Sequence, residues 1–160
     1  MAKLSTITKS VGTLTIGAAV PTAADTVTIG VRVYTWRAAP TTVADEVKIG
    51  ATLAESAANF AAAINLGAGS GSLYGSGTTA NVQVSAANVA ATVVFSSLIP
   101  GTIGSLIVTT EAGTNTAFGA GTLTGGVGDM HTALAEIIAQ DQINSGTLTA
   151  LFAIDGIVLN

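Results

Sequence analysis

The sequence predicts an α+β domain: an antiparallel sheet of four to six strands, one main helix packed on one face, and extended terminal arms. Three observations carry that expectation. Several short Thr- and Val-rich runs alternate polar and apolar residues, the period of half-buried strands. One stretch among them changes to helical spacing and opens on a capping signal. The pattern also changes toward both ends, dividing the chain into an N-terminal arm or strand over 1–24, a central α+β unit over 25–126, and a C-terminal helix with an apolar arm over 127–160.

In chain order, Thr13, Leu14, Thr15 and Ile16 alternate as a strand that ends near Gly17 and Pro21. Residues 25–29 and 31–36 alternate on either side of Gly30, which predicts a tight hairpin or a bulged pair with Val27 and Ile29, then Val31 and Val33, as candidate inward positions. Pro40 stops the second run, and 46–50 is a short extended segment. Thr52 and Glu55 form a capping box, and Leu53, Ala57, Phe60, Ala61 and Ile64 then recur on one helical face up to Gly67. A Gly/Ser loop fills 67–79. Strands are expected over 81–85, its hairpin partner 91–96, and 106–110, with a loop over 113–121 and a short closing segment at 122–124. Asp129 is a candidate N-cap for three helical turns through Met130, Leu134, Ile137 and Ile138. Two apolar runs, 147–152 and 157–159, flank the turn Asp155-Gly156.

Composition restricts function. Charged residues are 9% of the 160, against about 25% in ordinary soluble domains. A charge-poor, apolar surface favours association over a free monomer, which points to a homo-oligomer or residence in a larger particle. Net charge −4 and scattered Lys3, Lys9, Arg32, Arg37 and Lys48 argue against nucleic acid, which needs clustered cations. No apolar run reaches the roughly 20 residues of a membrane helix. The first residues lack the continuous apolar core of a signal peptide, so synthesis and assembly in a cytoplasm are expected.

Chemistry-bearing groups are few. The glycine loop at 67–72 follows a helix and lacks a Lys-Ser or Lys-Thr pair, so it reads as a connector rather than a phosphate cradle. His131 lies near Asp129 and Glu136, short of the three or four converging ligands a metal needs. No Gly-x-Ser-x-Gly sits at a strand-to-helix turn for a hydrolase using His131. The carboxylates Asp45 with Glu46, or Glu55 with Glu111, read more simply as a turn, a helix cap and a strand end. No enzyme, cofactor, catalytic set or metal site is expected. Tyr34, Trp36, Tyr74 and Phe118 are candidates for a glycan-stacking platform. Tyr34 and Trp36 share one strand face, outward toward sugar or a neighbouring subunit if Val33 faces the helix, inward as core otherwise.

The ordered set DTVTIGVRVYTW, EVKIGATLAESAANFAAAIN, GSGSLYGSGTTAN, the strand from Val93 to Phe95, PGTIGSLIVTTE and GTLTGG resembles a module that recurs in structural proteins of tailed bacteriophages. The resemblance covers about residues 25–126. At Val31 the chain departs from the family, which often has a second Gly or a polar residue there. The resemblance implies a virion component (head decoration, head fibre, or tail and fibre protein) and brings no catalytic residues. Joined to the composition, it gives the expectation of a capsid decoration, or cement, protein that binds the major capsid protein or other virion proteins as a small oligomer, a trimer favoured, with the virion as its location. A tail or fibre component and a host-surface glycan-binding module are the alternatives. The expected contacts are Leu4 and Ile7 in the N-terminal arm and Leu151, Phe152, Ile154, Ile157, Val158 and Leu159 at the C-terminus. Each is equally well placed to be intrachain core.

Overall fold

The computed structural model describes residues 6–128, 135, 136 and 138–140. The α+β class is observed, with its strands divided between two four-stranded sheets. They are β1 (Lys9–Ile16), β2 (Thr26–Ile29), β3 (Arg32–Arg37), β4 (Glu46–Lys48), β5 (Val84–Val89), β6 (Thr92–Pro100), β7 (Thr109–Ala112) and β8 (Thr116–Phe118); the helix α1 (Leu53–Asn65) lies between β4 and β5. The first sheet has the order β5-β6-β1-β8 and is antiparallel throughout. The second has the order β4-β3-β2-β7, with β3 and β4 parallel.

The N-terminal stretch is a strand. β1 pairs with β6 on one side and β8 on the other, so it is interior to the first sheet. Residue 123 and its neighbours join the two sheets along one side. Val11 bridges Thr124, Val108 bridges Thr122, and the Leu123 N–H donates to the Ile107 carbonyl at 3.0 Å. On the other side α1 spans the edge strands. The Asn59 side chain donates to the Lys48 carbonyl of β4, and Asn65 both donates to and accepts from the Ala86 backbone of β5. The remaining edge of β4 is covered by the Gly/Ser loop, where Tyr74 bridges Val47 and Ser70.

The hairpin of β2 and β3 corrects one expectation. Gly30 and Val31 form a two-residue loop, with Ile29 opposite Arg32 and Gly30 at φ +60°. That pairing fixes which residues share a face: Val27 lies opposite Tyr34, so Tyr34 and Trp36 turn inward with Val27 and Ile29. Val31 and Val33, expected inward, are exposed. Positive φ at the first loop position alone is the pattern of a type II′ turn, for which Gly is the natural residue.

The capping box is present: Glu55 N–H donates to the Thr52 hydroxyl, and the Glu55 carboxylate accepts from Thr52 N–H. At the other end Leu66, rather than Gly67, takes the left-handed conformation, with φ 52°. Phe60 is the centre of the core. Its ring meets Tyr34 edge-on at 5.2 Å, stacks on Trp36 at 5.3 Å, and meets Phe95 of the other sheet at 6.1 Å. Complete burial of such a ring contributes about 2–3 kcal/mol from its area alone. The Ala residues beside it let the helix approach both sheets.

Two further expectations change. The apolar stretch after Pro100 forms a 3₁₀ turn over Thr102–Leu106, and the strand begins only at Thr109. Gly104 explains the turn's position: a Cβ there would lie 2.5 Å from Ser97 Oγ and 2.9 Å from the Ile99 carbonyl oxygen, so only glycine lets this backbone settle onto β6. The region 113–121, expected as loop, contains β8, held by pairing with β1. The apolar runs expected at 147–152 and 157–159 lie outside the described residues.

Candidate functional site

Four of the charged side chains form two local ion pairs. Arg32, at the inner end of β3, grips Asp45 with two bonds, Nε to Oδ2 at 3.1 Å and an Nη to Oδ1 at 2.5 Å. Its guanidinium also lies 5.4 Å from the centre of the Tyr34 ring. Asp45 sits at φ +61°, and its N–H donates to the Thr78 hydroxyl at 2.8 Å. Glu46 accepts from Arg37 Nε at 2.9 Å and from both the N–H and the hydroxyl of Thr41 at 2.7 Å. The Thr41 hydroxyl, then its N–H, then Arg37 hold the Glu46 carboxyl below its ordinary value, against the opposing effect of burial.

These pairs decide the carboxylate candidates. Asp45 and Glu46 are adjacent, but each is committed to its own arginine and turn. Glu55 is engaged at the cap of α1, and Glu111 lies on β7 opposite Val27. Beside the start of α1 is a recess lined by Lys48, Gly50, Glu55 and Asn59, among others. Its backbone donors are already used: Gly50 N–H by the Ser56 hydroxyl, Ala51 and Thr52 N–H by the Glu55 carboxylate. Among the described residues no group of three His, Asp or Glu is placed to hold a metal, and no helix is long and apolar enough to cross a membrane. His131 lies outside those residues.

The aromatic platform is corrected. Tyr34 and Trp36 are each 1% exposed, so neither presents a ring face to a sugar or a neighbouring subunit. Both pack on Phe60, and the Tyr34 hydroxyl accepts from Asn81 Nδ2 at 3.1 Å. Burial, the largest effect, raises the Tyr34 pKa above its ordinary value. Tyr74 is also buried, its hydroxyl donating to the Gly67 carbonyl, and Phe118 is half-buried against Phe95. The signal for this was in the loop length: a two-residue turn at 30–31 obliges 34 and 36 to share the face of 27 and 29.

Of the expected contact residues, Ile7 alone falls within the description. It is half-buried beside Gly101 and Gly128, and the neighbouring Thr8 exchanges backbone and hydroxyl bonds with Gly101, Gly125 and Val127. Ile7 is therefore docked on the body. Leu4, Leu151, Phe152, Ile154, Ile157, Val158 and Leu159 lie outside the described residues.

Two surface features were not anticipated. The first is the outer face of the first sheet. Leu14, Val84, Val93 and Phe95 point inward, so alternation turns the residues between them outward. They form three cross-strand rows: Val11, Ser96 and Ser85; Thr13, Val94 and Ala87; Thr15, Thr92 and Val89. None of these nine is charged, and each is exposed or half-buried; exposed Lys9 follows on the same side of β1, two residues before Val11. The second is an apolar groove of about 190 Å³ at the far end of β6, lined by Gln83, Ile99, Ile103, Gly104, Leu106 and Ile107. Compared with known proteins, the chain matches no family model and no curated protein.

Proposed function

We propose that this chain is a bacteriophage virion structural protein, a capsid decoration (cement) protein that binds the outer shell as a small oligomer, with the major capsid protein as its principal partner. The observation that carries the reading is the charge-poor outer face of the first sheet, three uncharged rows of Thr, Ser, Val and Ala on a rigid body, with Lys9 at their margin. The three rows lose little on desolvation, because they hold no ion and their hydroxyls find new partners readily. The resemblance of residues 25–126 to a virion module supports the same reading. The mechanism is burial of this face, repeated around the shell, which raises the cost of shell expansion or rupture.

Magnitude explains why repetition matters. Strand spacing and rise make three strands by five residues roughly 14 Å by 17 Å. That is well short of the about 800 Å² per partner of a stable pairwise interface. One contact of this size is weak, whereas several on a small oligomer act together through effective concentration. Trimeric assembly suits that requirement.

The experiment is immunogold labelling of intact particles, with Thr13→Asp as a companion variant. Gold distributed over the head, and at least tenfold weaker shell attachment by a folded Thr13→Asp protein, is the expected result. Gold confined to the tail would overturn decoration in favour of a tail or fibre component. Full attachment by the variant would exclude the sheet face as the contact.

A further inference from the structure

Three segments of the chain bring exposed aliphatic side chains together at the far end of β6. Ile99, Ile103 and Leu106 line the groove there while remaining 48%, 56% and 75% exposed. The β2–β3 hairpin ends beside it. A Cβ at Gly30 would overlap the side chain of Gln83, which lines the same groove, and the Gly30 N–H donates to the Val108 carbonyl at 2.8 Å. Val31, Val82 and Val108, in the segments around the groove, are 92%, 82% and 46% exposed. Gln83 is the sole polar side chain among the lining residues, and none of them is charged.

Val31 finds almost no burial within its own chain. It is the second residue of a two-residue hairpin loop, a position that ordinarily falls to Gly, Asn, Asp or Ser. A β-branched aliphatic residue stands there beside the groove, as a knob beside a hole.

The size and the charge of this patch both fit a second copy of the chain. The six aliphatic residues together expose on the order of 700 Å², close to the about 800 Å² per partner of a stable pairwise interface. The outer face of the first sheet falls well short of that area. The chain carries a net charge of −4, so copies repel one another except where they meet through uncharged surface. A partner selected by charge would find nothing to pair with in the groove. Because knob and hole adjoin in one patch, copies turned about an axis beside it can each insert a knob and receive one. Such a contact closes on itself instead of extending into a filament.

We infer that this patch is the contact between copies of the chain, with Val31 of each copy seated in its neighbour's groove between Ile99, Ile103 and Leu106. A two-fold pair and the three-fold ring favoured above both close through it. The inference rests on the small oligomer of the proposed function and names its contact, but it does not depend on the shell. It leaves the outer face of the first sheet free for attachment.

The test uses the purified full-length protein. Sedimentation of wild type at micromolar concentration should give a closed dimer or trimer. Val31→Asp alters the knob at an exposed turn position, and Leu106→Asp alters the wall of the hole. Each should weaken association at least tenfold with unchanged circular dichroism, whereas Thr13→Asp on the sheet face should leave it intact. A monomeric wild type overturns the inference, and so does an oligomer that both groove variants leave unchanged. The chain contains no cysteine, so a mixture of two single-cysteine variants reports contacts between copies alone. Under mild oxidation, Val31→Cys with Leu106→Cys should form the mixed disulfide at least tenfold faster than Val31→Cys with Val89→Cys, whose site pairs with Thr92 at the other end of β6. Equal rates overturn the assignment. Failure here is distinct from failure of the virion reading. Gold over the head with a monomeric protein sinks this contact and keeps decoration, while an oligomer held by Val31 with gold on the tail does the reverse.

Discussion

Glu46 shows what the few charged residues of this chain do. Its carboxylate closes a turn, taking both the N–H and the hydroxyl of Thr41, while Arg37 approaches from β3. These bonds favour the ionised form, so the folded chain holds this proton less tightly than the unfolded chain. Stability from Glu46 is accordingly present above its ordinary value of 4.5 and is lost as pH falls through the depressed folded value. Urea midpoints measured from pH 7 down to pH 3 should show Glu46→Gln less stable than wild type at neutrality. The two should converge on acidification; a gap independent of pH would mean that the carboxylate's charge contributes nothing. Arg32 and Asp45 close the neighbouring turn in the same manner, and neither pair was legible in the sequence. Asp45 and Glu46 are adjacent there, whereas their partners lie on β3 and are brought near by the parallel pairing of β3 with β4. Tyr34 and Trp36, by contrast, could have been placed by counting across the Gly30-Val31 loop. The alternation within each strand was evident; the register between them was the missing step.

The elements solve a problem common to open sheets, whose edge strands present unpaired backbone groups to any passing strand. α1 reaches two of the four edge strands, β4 and β5, with asparagines. Asn59 takes the Lys48 carbonyl of β4, while Asn65 satisfies both the N–H and the carbonyl of Ala86 on β5. Asn81 adds to this by accepting from the Gln83 and Val84 N–H groups at the start of β5. Asn65→Ala removes two bonds at a partly exposed site, so a loss of about 1–2 kcal/mol is expected in chemical denaturation. The variant should also self-associate more on heating, seen by light scattering, because the β5 edge is opened. Loss of stability without added association would show that the edge is protected by something other than Asn65. The helix was readable because its signals are local: Thr52 and Glu55 cap it, and apolar residues follow at helical spacing. β8 has only three residues and exists because β1 is there to pair with it. The stretch from 102 to 106 carries strand-like residues, yet Gly101 and Gly104 allow a tight turn onto β6. Both outcomes depend on contacts distant in sequence, which a local period does not report.

At the scale of the whole molecule, a scarcity of charge becomes a property of the surface. Among the described residues the two ion pairs cluster around the loop between β3 and β4, and β5, β6 and β1 of the first sheet offer rows of Thr, Ser, Val and Ala outward. Attachment through such a face is governed by apolar burial and short-range hydrogen bonding, neither of which is screened by salt. An electrostatic docking surface behaves oppositely, because exposed charges lose most of their attraction once the Debye length falls to about 3 Å at 1 M salt. The proposed shell attachment should therefore change less than about threefold in affinity between 0.05 and 1 M NaCl, and titration calorimetry should give a negative heat-capacity change. Release of the protein from shells by salt alone would place the contact on the charged loops instead. Retention at high salt, combined with loss of attachment in Thr13→Asp, would trace binding to the uncharged rows of the sheet face, because one introduced carboxylate must then be desolvated there without a partner.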